Sequence, residues 1–205
     1  MKTGSIMKRV AAATAALALA ACAPVPMHFY VADEAAGSLV YSTCSFNKHV
    51  PLAVTLEREG VRAIVKLIEQ DTRGFVEVRF DVPPGKTLVL RDHVVRIDRR
   101  DSRPVLEASI PNVSKVDTPH INSYSELPGV RKMMLPVGTP LEGGRIVMGP
   151  MSSDRHYWIA ARVDTEAADD VWVTLPSLTV NGAPADLAEI HFKRRLLVAV
   201  ATINC

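Results

Sequence analysis

The stretch that decides the fold is Val76-Glu77-Val78-Arg79-Phe80-Asp81-Val82, in which apolar and charged residues alternate without interruption. Successive side chains of a β-strand point to opposite faces, so this pattern predicts a strand with one apolar and one polar face. The four residues that follow, Pro-Pro-Gly-Lys at 83–86, predict a turn. Residues 157–163 and 171–175 alternate in the same way. Strands of this kind are typical of antiparallel sheets that bury one face and expose the other.

Three further stretches extend the β pattern. Residues 178–180 lead into Asn181-Gly182, a dipeptide that favours a tight turn between two strands. Residues 196–203 form a continuous apolar run, which predicts a buried central strand. Residues 61–68 fit a helical stripe as well as a strand. We favour the strand, joined to residues 53–56 through a turn at Glu59-Gly60.

These stretches predict an all-β fold built as a single antiparallel β-sandwich, with which an immunoglobulin-like topology is compatible. A partly open β-barrel is the alternative. Residues 111–150 have a different character, because they hold six of the 14 prolines and five of the 11 glycines. We expect a long Pro/Gly-rich loop region there, and long loops in compact domains often bind partners.

The N-terminus has the three parts of a secretory signal. Lys2, Lys8 and Arg9 are basic, residues 10–21 are small and apolar apart from one threonine, and the run ends in Leu19-Ala20-Ala21-Cys22. This arrangement resembles the signal peptide and lipobox of bacterial lipoproteins. The apolar run is also too short for a transmembrane helix, which needs about 20 apolar residues.

The resemblance implies a domain organisation and a location. Residues 1–21 would be removed, Cys22 would carry the lipid as the first residue of the mature chain, residues 22–37 would form a lipidated tether, and residues 38–205 would form the β-rich domain. Aspartate after the cysteine commonly retains such lipoproteins in the inner membrane of Gram-negative bacteria. Ala23 at that position therefore implies the inner leaflet of the outer membrane, with the domain facing the periplasm.

The charge of the chain changes when the signal peptide is excluded. The full sequence has a formal net charge of +2, but the three charged residues before Cys22 are all basic, so the mature chain has −1. Nucleic-acid-binding proteins carry a strong basic excess on one face. We therefore expect no nucleic-acid partner, and instead the membrane, through the lipid, and another envelope protein.

The cysteines allow a single disulfide bond once Cys22 is assigned to the lipid. Cys44 and Cys205 remain, and the periplasm is oxidising. We predict that they pair, which would fasten the C-terminal end of the chain to the domain. Two free buried thiols are the alternative.

The polar residues give no catalytic motif. The six histidines are too scattered to suggest a metal site, and we expect no metal, no cofactor and no catalytic residue. The densest polar and aromatic cluster is Ser152-Ser153-Asp154-Arg155-His156-Tyr157-Trp158. We interpret its first half as a turn that enters a strand whose Tyr157 or Trp158 packs inward. A recognition surface is a second interpretation, and a small hydrolase built on His156 with Ser152 or Ser153 is a third.

The basic run Lys193-Arg194-Arg195 is a further candidate. It can protect an edge strand from pairing with another molecule, or face lipid headgroups or an acidic partner. The candidate interaction surface therefore consists of Arg155, His156, Tyr157, Trp158, Lys193, Arg194 and Arg195. The leading hypothesis for function is a non-catalytic, lipid-anchored envelope lipoprotein that acts as a structural or protein-interaction module. The alternative is a binding module for a glycan, a lipid or a peptidoglycan fragment.

Overall fold

The computed structural model describes residues 24–42, 48–70, 73–116, 133–148, 150–163 and 168–200. The signal peptide, Cys22, Cys44 and Cys205 lie outside the described residues. Removal of residues 1–21, lipidation of Cys22 and the Cys44–Cys205 disulfide therefore stay predictions.

The described residues are almost entirely β-structure, with one short 3-10 turn at Glu34–Ala36 and no α-helix. Strands β1 to β17 span Pro24–Ala32, Ser38–Tyr41, Pro51–Arg58, Val61–Gln70, Arg73–Val82, Thr87–Leu90, Val94–Asp98, Leu106–Ser109, Val113–Val116, Met133–Leu135, Leu141–Glu142, Arg145–Met148, Met151–Val163, Asp170–Thr174, Leu178–Val180, Ala183–Pro184 and Ile190–Val200.

The strands form three antiparallel sheets. The five-stranded sheet has the order β1-β17-β14-β7-β8, and the four-stranded sheet has the order β11-β6-β15-β16. The eight-stranded sheet has the order β10-β9-β13-β5-β4-β3-β2, with β12 paired to β13. No sheet closes on itself in the described ranges. The seventeen strands found there outnumber the seven to nine of an immunoglobulin domain.

One hydrophobic core joins the three sheets, and it confirms the predicted all-β sandwich. The apolar side of β5 shows the pattern directly, because Val76, Val78, Phe80 and Val82 are at most 1% exposed. Phe192 of the five-stranded sheet and Leu88 of the four-stranded sheet belong to the same core and are fully buried. The alternating residues in the sequence therefore form sheets that each turn one face toward the core.

The ambiguous stretch at residues 61–68 is a strand, as favoured. β3 and β4 form a hairpin in which Arg58 is paired with Val61. The two turn residues, Glu59 and Gly60, have φ of 52° and 76°. Positive φ at both positions is the geometry of a type I′ turn, whose twist matches that of the flanking strands. The predicted turn at Asn181-Gly182 has the same character, with φ of 51° and 81°.

The predicted tether over residues 22–37 is wrong for most of its length. Residues 24–32 form β1, which is paired with β17 along all nine residues. Tyr30 and Ala32 belong to the core, at 4% and 6% exposed. The two prolines near its start hid this strand in the sequence, because proline is rare in the interior of sheets. β1 is an edge strand of its sheet, where proline is tolerated.

The predicted burial of the apolar run at 196–203 is wrong for its described part. Leu196 and Val198 are 62% and 57% exposed. The reason is that β14 pairs with β17 only over residues 190–193. Within the described ranges, β17 then continues past β14 with β1 as its only paired strand. Residues 201–203 lie outside the described ranges.

Two expectations about residues 111–155 also change. The described parts of the Pro/Gly-rich region contain the short strands β9, β10, β11 and β12, and its described prolines, at 111, 136, 140 and 150, fall outside these strands. The turn expected at residues 152–155 is instead the first part of β13. Pairing with β12, from Arg145 opposite Asp154 to Met148 opposite Met151, holds these residues extended.

Candidate functional site

A polar row lies on the outer side of the eight-stranded sheet. His156 of β13 is opposite Asp81 of β5, and Asp81 is opposite Arg62 of β4. Two residues further along β13, on the same side of the sheet, Trp158 is opposite Arg79. These positions alternate with core residues, so their side chains point away from the core. They are nevertheless covered, because His156 and Trp158 are 2% exposed and Asp81 is 4% exposed.

The carboxylate of Asp81 is the centre of this row. Arg62 donates to Asp81 Oδ2 from Nε at 2.9 Å and from Nη2 at 2.7 Å, and Arg79 Nη2 donates to the same oxygen at 3.0 Å. The Arg79 guanidinium also lies 5.9 Å from the centre of the Trp158 ring. Two guanidinium groups therefore compensate one buried carboxylate, an arrangement that satisfies a charge which would otherwise be costly to bury.

A cleft of about 320 Å³ opens beside this row. Its lining combines three arginines, two aspartates, two serines and one histidine: Arg62, Arg79, Arg145, Asp81, Asp154, Ser152, Ser153 and His156. At the mouth of the cleft, Arg145 forms a long ion pair with Asp154, in which Nε lies 3.8 Å from Oδ1. The Arg145 side chain is 62% exposed. The cleft therefore offers a cationic group to a small anion, together with serine hydroxyls.

The same cleft holds the residues of the hydrolase interpretation, but their spacing does not form a serine–histidine pair. Ser152 and His156 lie four residues apart on strand β13, and four residues of extended strand span about 13 Å. Ser153 lies three residues from His156, about 10 Å along an extended strand. A catalytic serine and its base need a hydrogen bond of about 2.6–3.2 Å.

Arg155 and Tyr157 occupy the other side of β13. Tyr157 is 2% exposed and belongs to the core, and its hydroxyl donates to the Glu142 carbonyl at 2.7 Å. Arg155 Nη1 donates to the same carbonyl at 3.3 Å. The interpretation of residues 155–158 as a surface is therefore corrected, because Tyr157 packs in the core and His156 and Trp158 are covered. The interpretation that Tyr157 or Trp158 packs inward holds for Tyr157.

The basic run on β17 is divided by the same alternation. Arg194 points inward and makes two hydrogen bonds to Glu69, at 2.9 and 3.0 Å, and these bonds raise the pKa of Arg194. Lys193 points outward and lies 3.5 Å from Asp33. Arg195 is exposed on the same outer side. This run lies in the five-stranded sheet and residues 155–158 lie in the eight-stranded sheet, so the two parts of the predicted surface do not meet.

The outer side of the five-stranded sheet carries a stack of side chains that the sequence interpretation missed. The rings of Trp172 and His191 are parallel within 2°, with centroids 4.2 Å apart. The Arg100 guanidinium also lies over Trp172, 4.2 Å from its centroid, and pairs with Glu189. His191 Nε2 lies 2.8 Å from Asp170 Oδ1.

One feature of the sequence points to this stack. Trp172 occupies a polar position of an alternating strand, between Val171 and Val173, which are fully buried. A large aromatic residue on the polar side of a strand needs a partner or a covering surface. Within the described residues the partners come from β17 and from the loop after β7, two elements that the local pattern of residues 171–175 does not reveal.

In the described ranges no helix is long and apolar enough to cross a membrane, and no three His, Cys, Asp or Glu side chains there come together as ligands for a metal ion. No protein-family model, no curated protein and no solved structure matches the chain.

Proposed function

We propose that this chain is a non-catalytic, lipid-anchored envelope lipoprotein that acts as a protein-interaction module. It is held at the inner leaflet of the outer membrane and faces the periplasm. Its docking surface is the outer side of the five-stranded sheet, centred on Trp172. The observation that carries the proposal is the stack of Arg100, Trp172 and His191 on that side.

The stack has the composition and rigidity of a protein-binding hot spot. Tryptophan and arginine are the residues that most often dominate binding energy at interfaces. Here both are already held in place, Trp172 by its contacts with His191 and Arg100, and Arg100 by Glu189. A partner would therefore restrict few additional side-chain rotations on binding, which lowers the entropic cost of association.

Charges of both signs surround the stack. Asp170 lies beside His191, Asp33 lies beside Lys193, and Arg195 follows on the same side of β17. A backbone hydrogen bond from Ala35, followed by Lys193, lowers the pKa of the Asp33 carboxyl, so Asp33 is ionised at neutral pH. An aromatic centre with a charged rim matches the usual anatomy of a protein interface and favours a protein over an apolar ligand.

The proposal is tested by site-specific photo-crosslinking in cells that make the full, acylated protein. A photoreactive residue is placed at Lys193 on β17 or at Glu107 on β8, which flank Trp172 across the sheet. A matched control is placed at Glu57, which is exposed on β3 of the other large sheet. We expect one dominant envelope protein from both outer positions and not from Glu57. Replacing Trp172 with alanine should reduce its yield about tenfold or more, as for a hot spot.

Two results would overturn this proposal. Capture of the same proteins from Glu57 as from Lys193 and Glu107 would show non-specific proximity. No reproducible protein from either outer position would exclude this side of the sheet as a protein-binding surface.

A second candidate, the binding of a peptidoglycan fragment, is favoured by the cleft beside Arg145. Peptidoglycan fragments carry carboxylates and hydroxyls, and the cleft offers guanidinium groups and serines. Calorimetric titration of the full protein with soluble muropeptides tests it. Binding that is lost in Arg145→Ala and kept in Arg58→Ala, an exposed arginine of β3, would favour this function over the first.

A further inference from the structure

We infer that one end of the β1–β17 ribbon lies in the surface of the membrane, among lipid headgroups and the adjoining acyl chains. This ribbon tip consists of residues 24–28 of β1 paired with residues 196–200 of β17. The inference rests on the proposed lipid anchor and adds a second contact with the lipid, made by the folded domain itself.

The ribbon tip extends past the end of β14. β14 pairs with β17 only as far as Asp170 opposite Lys193. At the next residue, Arg194 crosses to Glu69 of the eight-stranded sheet, and this ion pair closes the core between the two large sheets. Past Arg194, β1 is the only strand in the described part of the chain that pairs with β17.

The ribbon tip is apolar on both of its sides. Pro26, His28, Leu196 and Val198 share the side that continues from the core, and Met27 and Leu197 share the other. Met27, Leu196 and Val198 are 41%, 62% and 57% exposed. The only ionisable side chain among the ten residues is His28. A two-sided apolar ribbon exposed to water is unfavourable, and the tip is therefore suited to an apolar surrounding.

The backbone of the ribbon tip favours lipid over an added protein strand. The N–H of Asp33 donates to the His191 carbonyl, which makes 33 and 191 a hydrogen-bonded pair. Hydrogen-bonded pairs recur at every second residue of an antiparallel ladder, and Pro24 and Pro26 occupy the positions that alternate with them. Their backbone nitrogens therefore face away from β17, toward the free edge of β1. Proline has no N–H to offer there, which prevents strand addition. On the other edge, His49 Nε2 lies 3.0 Å from the Val198 carbonyl.

The position of the anchor brings the tip to the bilayer. Cys22 precedes Pro24 by two residues, a length of chain that spans at most about 7 Å. Arg195 lies opposite Phe29 next to the tip, and the exposed Leu52 and Ile68 line a groove of about 310 Å³ between β1 and β3–β4, together with Lys66. The cationic side chains next to the tip match the headgroups of a membrane surface, and the apolar side chains match its acyl chains.

A fixed tip sets the height of the proposed docking surface. His191 lies six residues along β17 from Leu197, so the stack stands about 20 Å above the tip. A flexible tether would let this surface face in any direction, whereas two contacts with the lipid hold it at one distance from the membrane.

The test uses the full, acylated protein in vesicles of phosphatidylethanolamine and phosphatidylglycerol. A photoreactive residue replaces Leu196 or Val198, and Glu57, at the opposite end of β3 from Leu52, serves as the control. We expect phospholipid adducts, identified by their mass, at 196 and 198 and none at 57. Thermal unfolding of each variant checks that it is folded.

The outcomes separate this inference from the proposed function. Vesicle-bound protein without lipid adducts at 196 and 198 would overturn the seated tip and leave the anchor intact. Protein that does not sediment with the vesicles would overturn the anchor, and with it the inference. Adducts to a second copy of the protein at 196 or 198, in place of lipid, would also contradict it.

Discussion

Tyr30 shows how a single residue closes the core at the end where the ribbon leaves it. Its ring is 4% exposed, and its hydroxyl donates to the Ala168 carbonyl at 2.9 Å. It is paired with Arg194 across the ribbon, and Glu69 lies nearby as the partner of Arg194. Burial is the main cause that raises the pKa of the Tyr30 phenol, followed by the charge of Glu69.

This raised pKa makes the stability depend on alkaline pH. The phenolate is disfavoured in the folded state, so the contribution of Tyr30 to the free energy of unfolding is complete below pH 10 and decreases as the pH rises above it. Urea denaturation of the wild type and of Tyr30→Phe between pH 8 and 11 measures this. We expect the advantage of the wild type to shrink above pH 10. An advantage that stays constant over this range would contradict the assignment.

Arg194 and Arg195 form a matched pair of adjacent arginines with different surroundings. Arg194 makes two hydrogen bonds to Glu69, and both side chains are mostly buried, at 20% and 13% exposed, whereas Arg195 is exposed. Arg194→Ala should lower the free energy of unfolding by about 2 kcal/mol, because it leaves the Glu69 carboxylate without its partner. Arg195→Ala should change it by less than about 0.5 kcal/mol. Equal losses in denaturant titrations would contradict the division of the basic run.

At the scale of elements, alternation in the sequence predicted the strands that have one buried side, and it failed for the ribbon. β5 and β14 alternate because one side of each meets the core. The start of β1 and the end of β17 carry apolar residues on both sides, apart from His28, and they extend past β14. The sequence therefore suggested a tether in one case and a buried central strand in the other.

The candidate site was harder to predict, because its residues meet only through pairing between distant strands. Trp172 and His191 lie nineteen positions apart and come together by the register of β14 with β17. His156 and Trp158 are polar-side residues by alternation, yet they are covered, and no local pattern shows what covers a strand.

A close backbone approach at Gly143 gives a test at this scale. The Gly143 N–H donates to the Lys86 carbonyl at 2.8 Å, and a side chain there would overlap the Pro83 carbonyl and lie 2.7 Å from the Lys86 carbonyl. Gly143→Ala should therefore lower the free energy of unfolding by about 3 kcal/mol. Gly138 has φ of 89° and open space around it, so Gly138→Ala should cost only about 1 kcal/mol. Denaturant titration compares them, and a reversed order would contradict the described packing.

For the whole molecule, the predicted disulfide acts on the same end as the ribbon. His49 contacts the Val198 carbonyl, Cys44 lies five residues before His49, and Cys205 lies seven residues after Val198. An extended residue spans about 3.3 Å, so the two segments have enough chain for the cysteines to meet.

The disulfide is tested by thiol counting and by stability. We expect no alkylation of Cys44 and Cys205 in unreduced, denatured protein, and a loss of about 5 kcal/mol or less in Cys44→Ser, from the entropy of a long closed loop. Cys205→Ser and the double variant should lose the same amount, because each breaks one bond. Additive losses, or two alkylated thiols, would contradict the pairing.

Lipidation of Cys22 is the claim on which the proposed function and the membrane-seated ribbon both depend. The most direct measurement is the intact mass and N-terminal peptide of the protein isolated from bacterial membranes, for the wild type and for Cys22→Ser. We predict a mature chain that begins at Cys22 and carries the mass of two or three acyl chains, and a Cys22→Ser protein without them. A wild-type chain that begins at another residue, or that begins at Cys22 without acyl chains, would contradict the account.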